Sequence, residues 1–353
     1  MDRPRLVQAL AGQRGYCESR SPLYAAVLAG LQSDAEASAP WLDAARSAWR
    51  GRSFAVDWEA AHLLLAGMHY WALKGEAPEL AAVYPSCGGT GDDAAGAARA
   101  FLARAPDEFW QHLATAHVQT NEVGRSVPWM LAAAAAFGAR ALPFNLVELG
   151  ASAGLNLVGD WLEHRCHFTA GNGVPATPPA GWNRRPHRVL ARAGLDLEPR
   201  RLADPHDRLW LKACVWADDL ARLGRLEEAI RAFLKRSRSI RLERCAFEHA
   251  PAWLSAHCPP RARQGLLVFN SIATVYLDDA AYARLQDGMA QALAPWGDRG
   301  FWAEYERPRG GDGPLELRIH CPAGGALRTR VLASGAPRPT VMRFHEVTPW
   351  PLN

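Results

Sequence analysis

Residues Phe144 to Asn156, read as Phe-Asn-Leu-Val-Glu-Leu-Gly-Ala-Ser-Ala-Gly-Leu-Asn, put one carboxylate at the foot of a run of very small side chains. Leu146, Val147 and Leu149 form the short apolar run of a strand buried on both faces, and Glu148 is the single charge inside it. Gly150 ends the run. Ala151, Ser152, Ala153 and Gly154 then leave the backbone bare, so that a ligand can approach it closely before a helix begins near Leu155. A carboxylate in that position sits at the carboxyl end of its strand, where open parallel sheets hold ligands. The bland reading is an ordinary strand-to-helix turn with a capping Ser152.

Spacing decides between ligand classes. A dinucleotide fingerprint in the frame G-x-G-x-x-G would fall on Gly150, Ser152 and Leu155, and fails at two of its positions. The frame Glu148-x-Gly150-x-Ser152-x-Gly154 instead resembles, with Ser for the middle Gly, the acidic-x-Gly-x-Gly-x-Gly turn of class I S-adenosylmethionine-dependent methyltransferases. The resemblance implies that Glu148 meets the ammonium side of the methionine moiety and that Gly150, Ala151, Ser152, Gly154 and Asn156 line the cofactor.

Other polar groups stand out by position. His117 to Arg125 gathers an imidazole, two amides, a carboxylate and a guanidinium between two apolar helices, just before a helix that Ser126 can cap and Pro128 can help start. Asn121, Glu122 and Arg125 are its candidate site residues: Glu122 as a base, Asn121 and Arg125 as substrate contacts, or else Glu122 and Arg125 paired to fix the loop. Asp196 closes a second strand, where a carboxylate suits the two hydroxyls of a ribose, with Glu198 in reserve. Asn270 closes a fourth strand and is delivered to the same edge as Gly150, as a second catalytic candidate.

Along nearly its full length the chain also resembles a large family of bacterial proteins of unknown function, grouped with class I methyltransferase-like folds. The match is carried by Val118 to Arg125, Glu148 to Asn156, Gly194 to Pro199 and Trp210 to Trp216. In that family the third strand tends to end in Gly-Asp-Ala, whose Asp would suit the adenine amino group. Here Arg244, Cys245 and Ala246 stand instead, leaving adenine to backbone groups or to Glu248.

The elements that must position these groups follow from periodicity. From Ser21 to about Ala139 the pattern is helical, strongest over Trp58 to Leu73, where Leu64, Leu65, Met68, Trp71 and Ala72 form one stripe. His62 and His69 lie on that helix without a third ligand at metal spacing and read as packed or surface histidines. Thereafter strands and helices alternate: a helix over Leu155 to Cys166, strands over Val189 to Leu197, Ser239 to Cys245, Leu266 to Asn270 and Gly300 to Tyr305, and a hairpin over Leu315 to His320 and Ala326 to Leu332. The expected fold is α/β: a doubly wound, mostly parallel sheet with an antiparallel C-terminal hairpin over residues 141–353, preceded by an all-helical lid domain over residues 1–140.

Composition excludes several classes. Seven scattered cysteines without a C-x-x-C pair argue against a disulfide framework and a zinc site, and fit a reducing compartment. A net charge of +4 is mild for 353 residues, and the Arg clusters at 184, 185, 188, 192 and at 236, 238, 241, 244 read as solvated faces. Lys occurs only at 74, 212 and 235, too few for a lysine-based nucleic-acid methyltransferase, and no Pro-Pro-aromatic run follows Asn270. Neither a signal-peptide segment nor a run of membrane-spanning length is evident. The expectation is therefore a cytoplasmic enzyme that uses S-adenosylmethionine, without a metal, to methylate a small or medium-sized acceptor, with no nucleic-acid or membrane partner. Aminobutyl transfer or cyclisation of the same cofactor, and a catalytically inactive ligand-binding or scaffold protein, are the alternatives.

Overall fold

The computed structural model describes residues 2–345 apart from Ala55, Asp57, Ala139, Ala141, Arg184 and Pro186. Arg184 of the first basic cluster and the expected domain boundary at residue 141 thus lie outside the described residues. The chain divides into two compact units, Met1–Thr120 with Leu202–Glu227, and Asn121–Arg201 with Glu228–Asn353. The expected boundary at 140 therefore differs from the observed division in two ways. The loop from Asn121 and the helix Ser126–Phe137 group with the sheet, and residues 202–227 return to the helical unit.

The helical unit is organised on Glu59–Lys74, whose residues Leu63 to Ala72 are all buried, as expected of a helix surrounded by others. A methyl group on its Gly67 would meet Leu113 at 2.7 Å and Phe109 at 3.0 Å, so the helix Asp107–Thr115 packs directly on its backbone. His69 is buried and His62 half-buried in this unit, and desolvation pushes each imidazole down to about 4. His69 is held by the carbonyls of Ala213 and Val215 and by Ser86 Oγ. A further helix, Arg3–Cys17, precedes the region of evident periodicity; Asp2 caps it by accepting from the Arg5 amide.

The second unit carries a sheet of nine strands among the described residues: β1 Phe144–Leu149, β2 His167–Thr169, β3 Val189–Asp196, β4 Ile240–Arg244, β5 Gly265–Ser271, β6 Gly300–Glu306, β7 Leu315–Ala323, β8 Ala326–Gly335 and β9 Val341–Phe344. Their order is β2-β9-β8-β7-β6-β5-β1-β3-β4. The run from β6 to β4 is parallel and the pairings β6–β7, β7–β8 and β8–β9 are antiparallel. This is an α/β architecture with a large, mostly parallel sheet and a terminal hairpin.

Alternation sorts the strand residues onto two faces. The front face carries Phe144, Leu146, Leu267, Phe269, Phe301, Ala303 and Tyr305, packed with helix Ser126–Phe137. The back face carries Val147, Leu149, Leu266, Val268 and Trp302, packed with helices Ala250–His257 and Asp279–Leu293.

One expected element is corrected. The stretch after β1 is a 3₁₀ segment, Leu155–Trp161, and not an α-helix to Cys166. Two side chains account for the difference. Gly159 lies against Ser126 so closely that no Cβ fits, and Asp160 is turned inward to form a buried bidentate pair with Arg192, at 2.7 and 2.8 Å, while accepting from the His187 amide. A regular helix would move both residues off these partners.

Candidate functional site

β1 is the centre of the site. It is followed in the chain by β3 on one side and, later, by β5 on the other, so the strand order reverses beside it, which is the place where open parallel sheets hold ligands. Gly150 opens the turn at that point.

The turn is fixed tightly. Gly150 and Gly154 take φ of 70° and 71°, and Ser152 takes 51°, a costly angle for a residue with a Cβ. Gly150 N and Ala151 N both donate to Leu195 O, at 2.8 and 3.1 Å, Ser152 N donates to Asp196 Oδ2 at 2.7 Å, and Gly154 N donates to Ala151 O at 2.7 Å. These four amides are used within the protein. What the glycines admit is close packing by neighbouring side chains: a Cβ on Gly150 would stand 2.6 Å from Ala273 Cβ, and one on Gly154 2.8 Å from Leu242.

Two other residues beside this edge share the left-handed conformation, Asn121 at φ 28° and Ile272 at φ 48°. Such angles in non-glycine residues concentrate where surroundings over-determine the backbone, as at binding sites. Asn121 Nδ2 donates to Ser152 Oγ at 3.0 Å, which brings the 121–125 loop to the turn.

Glu148 is 2% exposed. Its Oε1 accepts from Asn156 Nδ2 at 2.9 Å. Asn156 is itself oriented by Ser126 Oγ, at 3.2 Å from its Oδ1, and by Trp129, whose indole donates to its carbonyl at 2.9 Å. Glu148 Oε2 is buried without a hydrogen-bond partner among the described residues. Burial pushes the carboxyl up to about 8, with Asp196 adding to the shift and Asn156 and Arg125 opposing it. The group is thus prepared to hold a charge only when a positive donor reaches Oε2.

A family model described as "Uncharacterized protein conserved in bacteria (DUF2332)" matches residues 8–348. The chain belongs to this family. A search of curated proteins gave no match.

The remaining expected site residues of this DUF2332 chain fall into two groups. Asn121, Ser152, Asn156 and Asp196 join Glu148 at the turn. Asp196, however, already accepts from Ser152 N and from Glu198 N, at 2.7 and 2.8 Å, so its first task is to tie β3 to the turn. Cys245, at the position where an adenine-binding Asp was sought, donates its amide to Asp196 O at 2.8 Å, and the Glu248 side chain is 73% exposed.

Glu122 is buried, caps its own short turn by accepting from Gly124 N at 3.1 Å and lies 3.8 Å from Arg338. Arg125 donates to Pro337 O at 3.1 Å while its charge acts on Glu148. The loop after β8 therefore braces the 121–125 loop. Asn270 points to the opposite, back face: its Oδ1 accepts from Trp302 Nε1 at 2.6 Å and its Nδ2 donates to Glu306 at 2.7 Å. Fully buried with both amide atoms taken up, it leaves the expected catalytic role no open group to rest on.

Sequence reasoning passed over Glu306, whose Oε1 also accepts from the amides of Ala273 and Thr274, at 2.8 and 3.2 Å, and so fixes the loop after β5. Burial pushes it up to about 7. The signal that singled out Glu148, a charge inside an apolar strand, is present here too, in Phe301-Trp-Ala-Glu-Tyr-Glu306. That loop meets the first turn directly, since a methyl group on Gly150 would stand 2.6 Å from Ala273 Cβ.

Proposed function

We propose that this protein is an S-adenosylmethionine-dependent transferase with a class I methyltransferase-like sheet unit, passing the methyl group to a small or medium-sized acceptor. The observation that carries the reading is the unpartnered, buried Oε2 of Glu148 at the carboxyl end of the central strand. A buried acceptor left open costs about 1–3 kcal/mol, a cost that a ligand donor at that atom would recover. An ammonium is the donor that fits best, because it also supplies the charge that allows Glu148 to ionise in its desolvated surroundings.

The residues present suit the cofactor on two points. Glu148 would take its ammonium, and Arg125 supplies a positive charge that acts on Glu148 and suits a carboxylate. When bound, the cofactor supplies a methyl group on a sulfonium, an electrophile that needs no further activation. The protein's share is then to align the acceptor, exclude water and take one proton. Glu122 is the candidate for the last task, once displaced from Gly124 and Arg338.

Calorimetry with S-adenosylmethionine and S-adenosylhomocysteine tests this. Binding of either supports it, and no heat from either at about millimolar concentration rejects every reading that uses this cofactor. A second reading, a binding protein without catalysis, is favoured by the engagement of Asn270 and Glu122 with neighbouring groups. Binding without methyl consumption across a panel of amines, thiols and hydroxyls would select it.

A further inference from the structure

Ser271 Oγ on β5 shares the condition of Glu148 Oε2: both atoms are buried and have no hydrogen-bond partner among the described residues. β1 and β5 are parallel neighbours, with Glu148 opposite Phe269 and Leu149 opposite Asn270. Ser271 stands two residues beyond Phe269 and therefore projects from the same front face, one step nearer the carboxyl edge. Opposite it on β6 is Tyr305, another front-face residue, whose hydroxyl donates to Ala336 O at 2.8 Å. The Arg125 guanidinium is close enough to oppose the upward shift that burial imposes on both Glu148 and Tyr305.

An acceptor and a hydroxyl thus stand on one face of adjacent strands, and the charge of Arg125, from the short turn Val123–Arg125, acts on the first of them. Their chemistry is complementary to a zwitterion: an ammonium for the carboxylate, and a carboxylate for the hydroxyl and the guanidinium. Ser271 is also well fixed. Ile272 N donates to Tyr305 O at 3.1 Å, and Glu306 holds the two following amides from the back face.

We infer that Ser271 is a binding residue for the α-amino-acid end of the ligand, its hydroxyl donating to the ligand's carboxylate while Glu148 Oε2 accepts from the ammonium. The inference rests on the transferase reading, whose cofactor carries such an end, and assigns that end to the carboxyl edge between β1 and β5. Two probes separate the two ideas: S-adenosylhomocysteine, and methylthioadenosine, which keeps the adenosyl thioether and lacks the amino-acid end.

In the wild-type protein, S-adenosylhomocysteine should bind the tighter of the two. Ser271→Ala should weaken S-adenosylhomocysteine about tenfold, the value of one hydrogen bond to a charged group, and leave methylthioadenosine unchanged. Thermal melting of the variant checks that it is folded. If Ser271→Ala shifts both ligands alike, or neither, the assignment of Ser271 is overturned and the transferase reading stands. If the wild-type protein binds neither ligand, both fall.

Discussion

Glu148 on β1 and Glu304 on β6 are carboxylates sealed into the same sheet, one on each face, and their surroundings treat them in opposite ways. Burial pushes both toward the neutral form. At Glu304 that push is overcome: Oε2 accepts from Tyr282 at 2.7 Å and from His320 Nε2 at 2.8 Å, Arg318 lies 3.7 Å away, and the carboxyl is held below its ordinary range. At Glu148 a single neutral amide donates, Arg125 acts from further off, and the carboxyl rises to about 8. A buried charge with its partner built in belongs to the fold. One whose counter-charge must come from outside belongs to a site.

The comparison breaks most sharply at His320. It is fully buried, its other ring nitrogen lies 2.7 Å from Thr329 Oγ1, and its ring packs 4.8 Å from that of Trp302. His320→Ala should cost about 3–5 kcal/mol in urea unfolding near neutral pH, because Glu304 is left charged and under-compensated. Adding Glu304→Gln should recover much of that loss. A cost below about 1 kcal/mol would show that the back-face pair is not what holds Glu304 in place.

Glu148→Gln probes the other half with the opposite sign. The folded pKa of Glu148 lies above its ordinary value of 4.5, so its protonated form is favoured by folding. Its contribution to stability is complete below that ordinary value and is lost as pH rises toward about 8. The Gln variant keeps an acceptor for Asn156 and does not titrate. Relative to wild type it should therefore gain a few kcal/mol of stability between about pH 5 and about pH 9, read from unfolding curves across that range. The same variant should lose S-adenosylhomocysteine binding by about tenfold to a hundredfold. In the wild-type protein, affinity should rise with pH and level off near 8, since the ligand selects the ionised carboxylate. Affinity that is flat in pH would mean that Glu148 does not meet the ammonium.

What the sequence disclosed follows the same division between local and assembled features. β1, β3, β4, β5, β6 and the β7–β8 hairpin are readable because each is a contiguous apolar or alternating run. β2 and β9 are not: they are strands of three and four residues, half-exposed, and they pair across the length of the unit, His167 with Val341. The α-helix expected after β1 gave way to a 3₁₀ segment for reasons visible only when Ser126 and Arg192 are seen beside Gly159 and Asp160. At the site, Glu148 and the small-residue turn carried local signals. Ser271 carried none, since an unremarkable serine becomes informative only when packing leaves its hydroxyl without a partner.

Asp196 is where the two kinds of residue meet, and its replacement should give the smallest effect. Both of its oxygens accept backbone amides, Ser152 N and Glu198 N, which makes it a brace between β3 and the turn. Each oxygen nevertheless has further acceptor capacity that a ribose hydroxyl could use. Asp196→Asn keeps one oxygen and replaces the other with a donor that faces an N–H, so unfolding should show a loss of about 1 kcal/mol. A brace alone predicts that S-adenosylhomocysteine and methylthioadenosine weaken slightly and equally, through the shifted Ser152. A brace that also binds the ribose predicts that adenosine itself, which has no amino-acid end, weakens as much as S-adenosylhomocysteine does. If adenosine affinity is unmoved while S-adenosylhomocysteine falls, Asp196 acts on the amino-acid end through the turn, and the ribose must be sought at Glu198 or beyond.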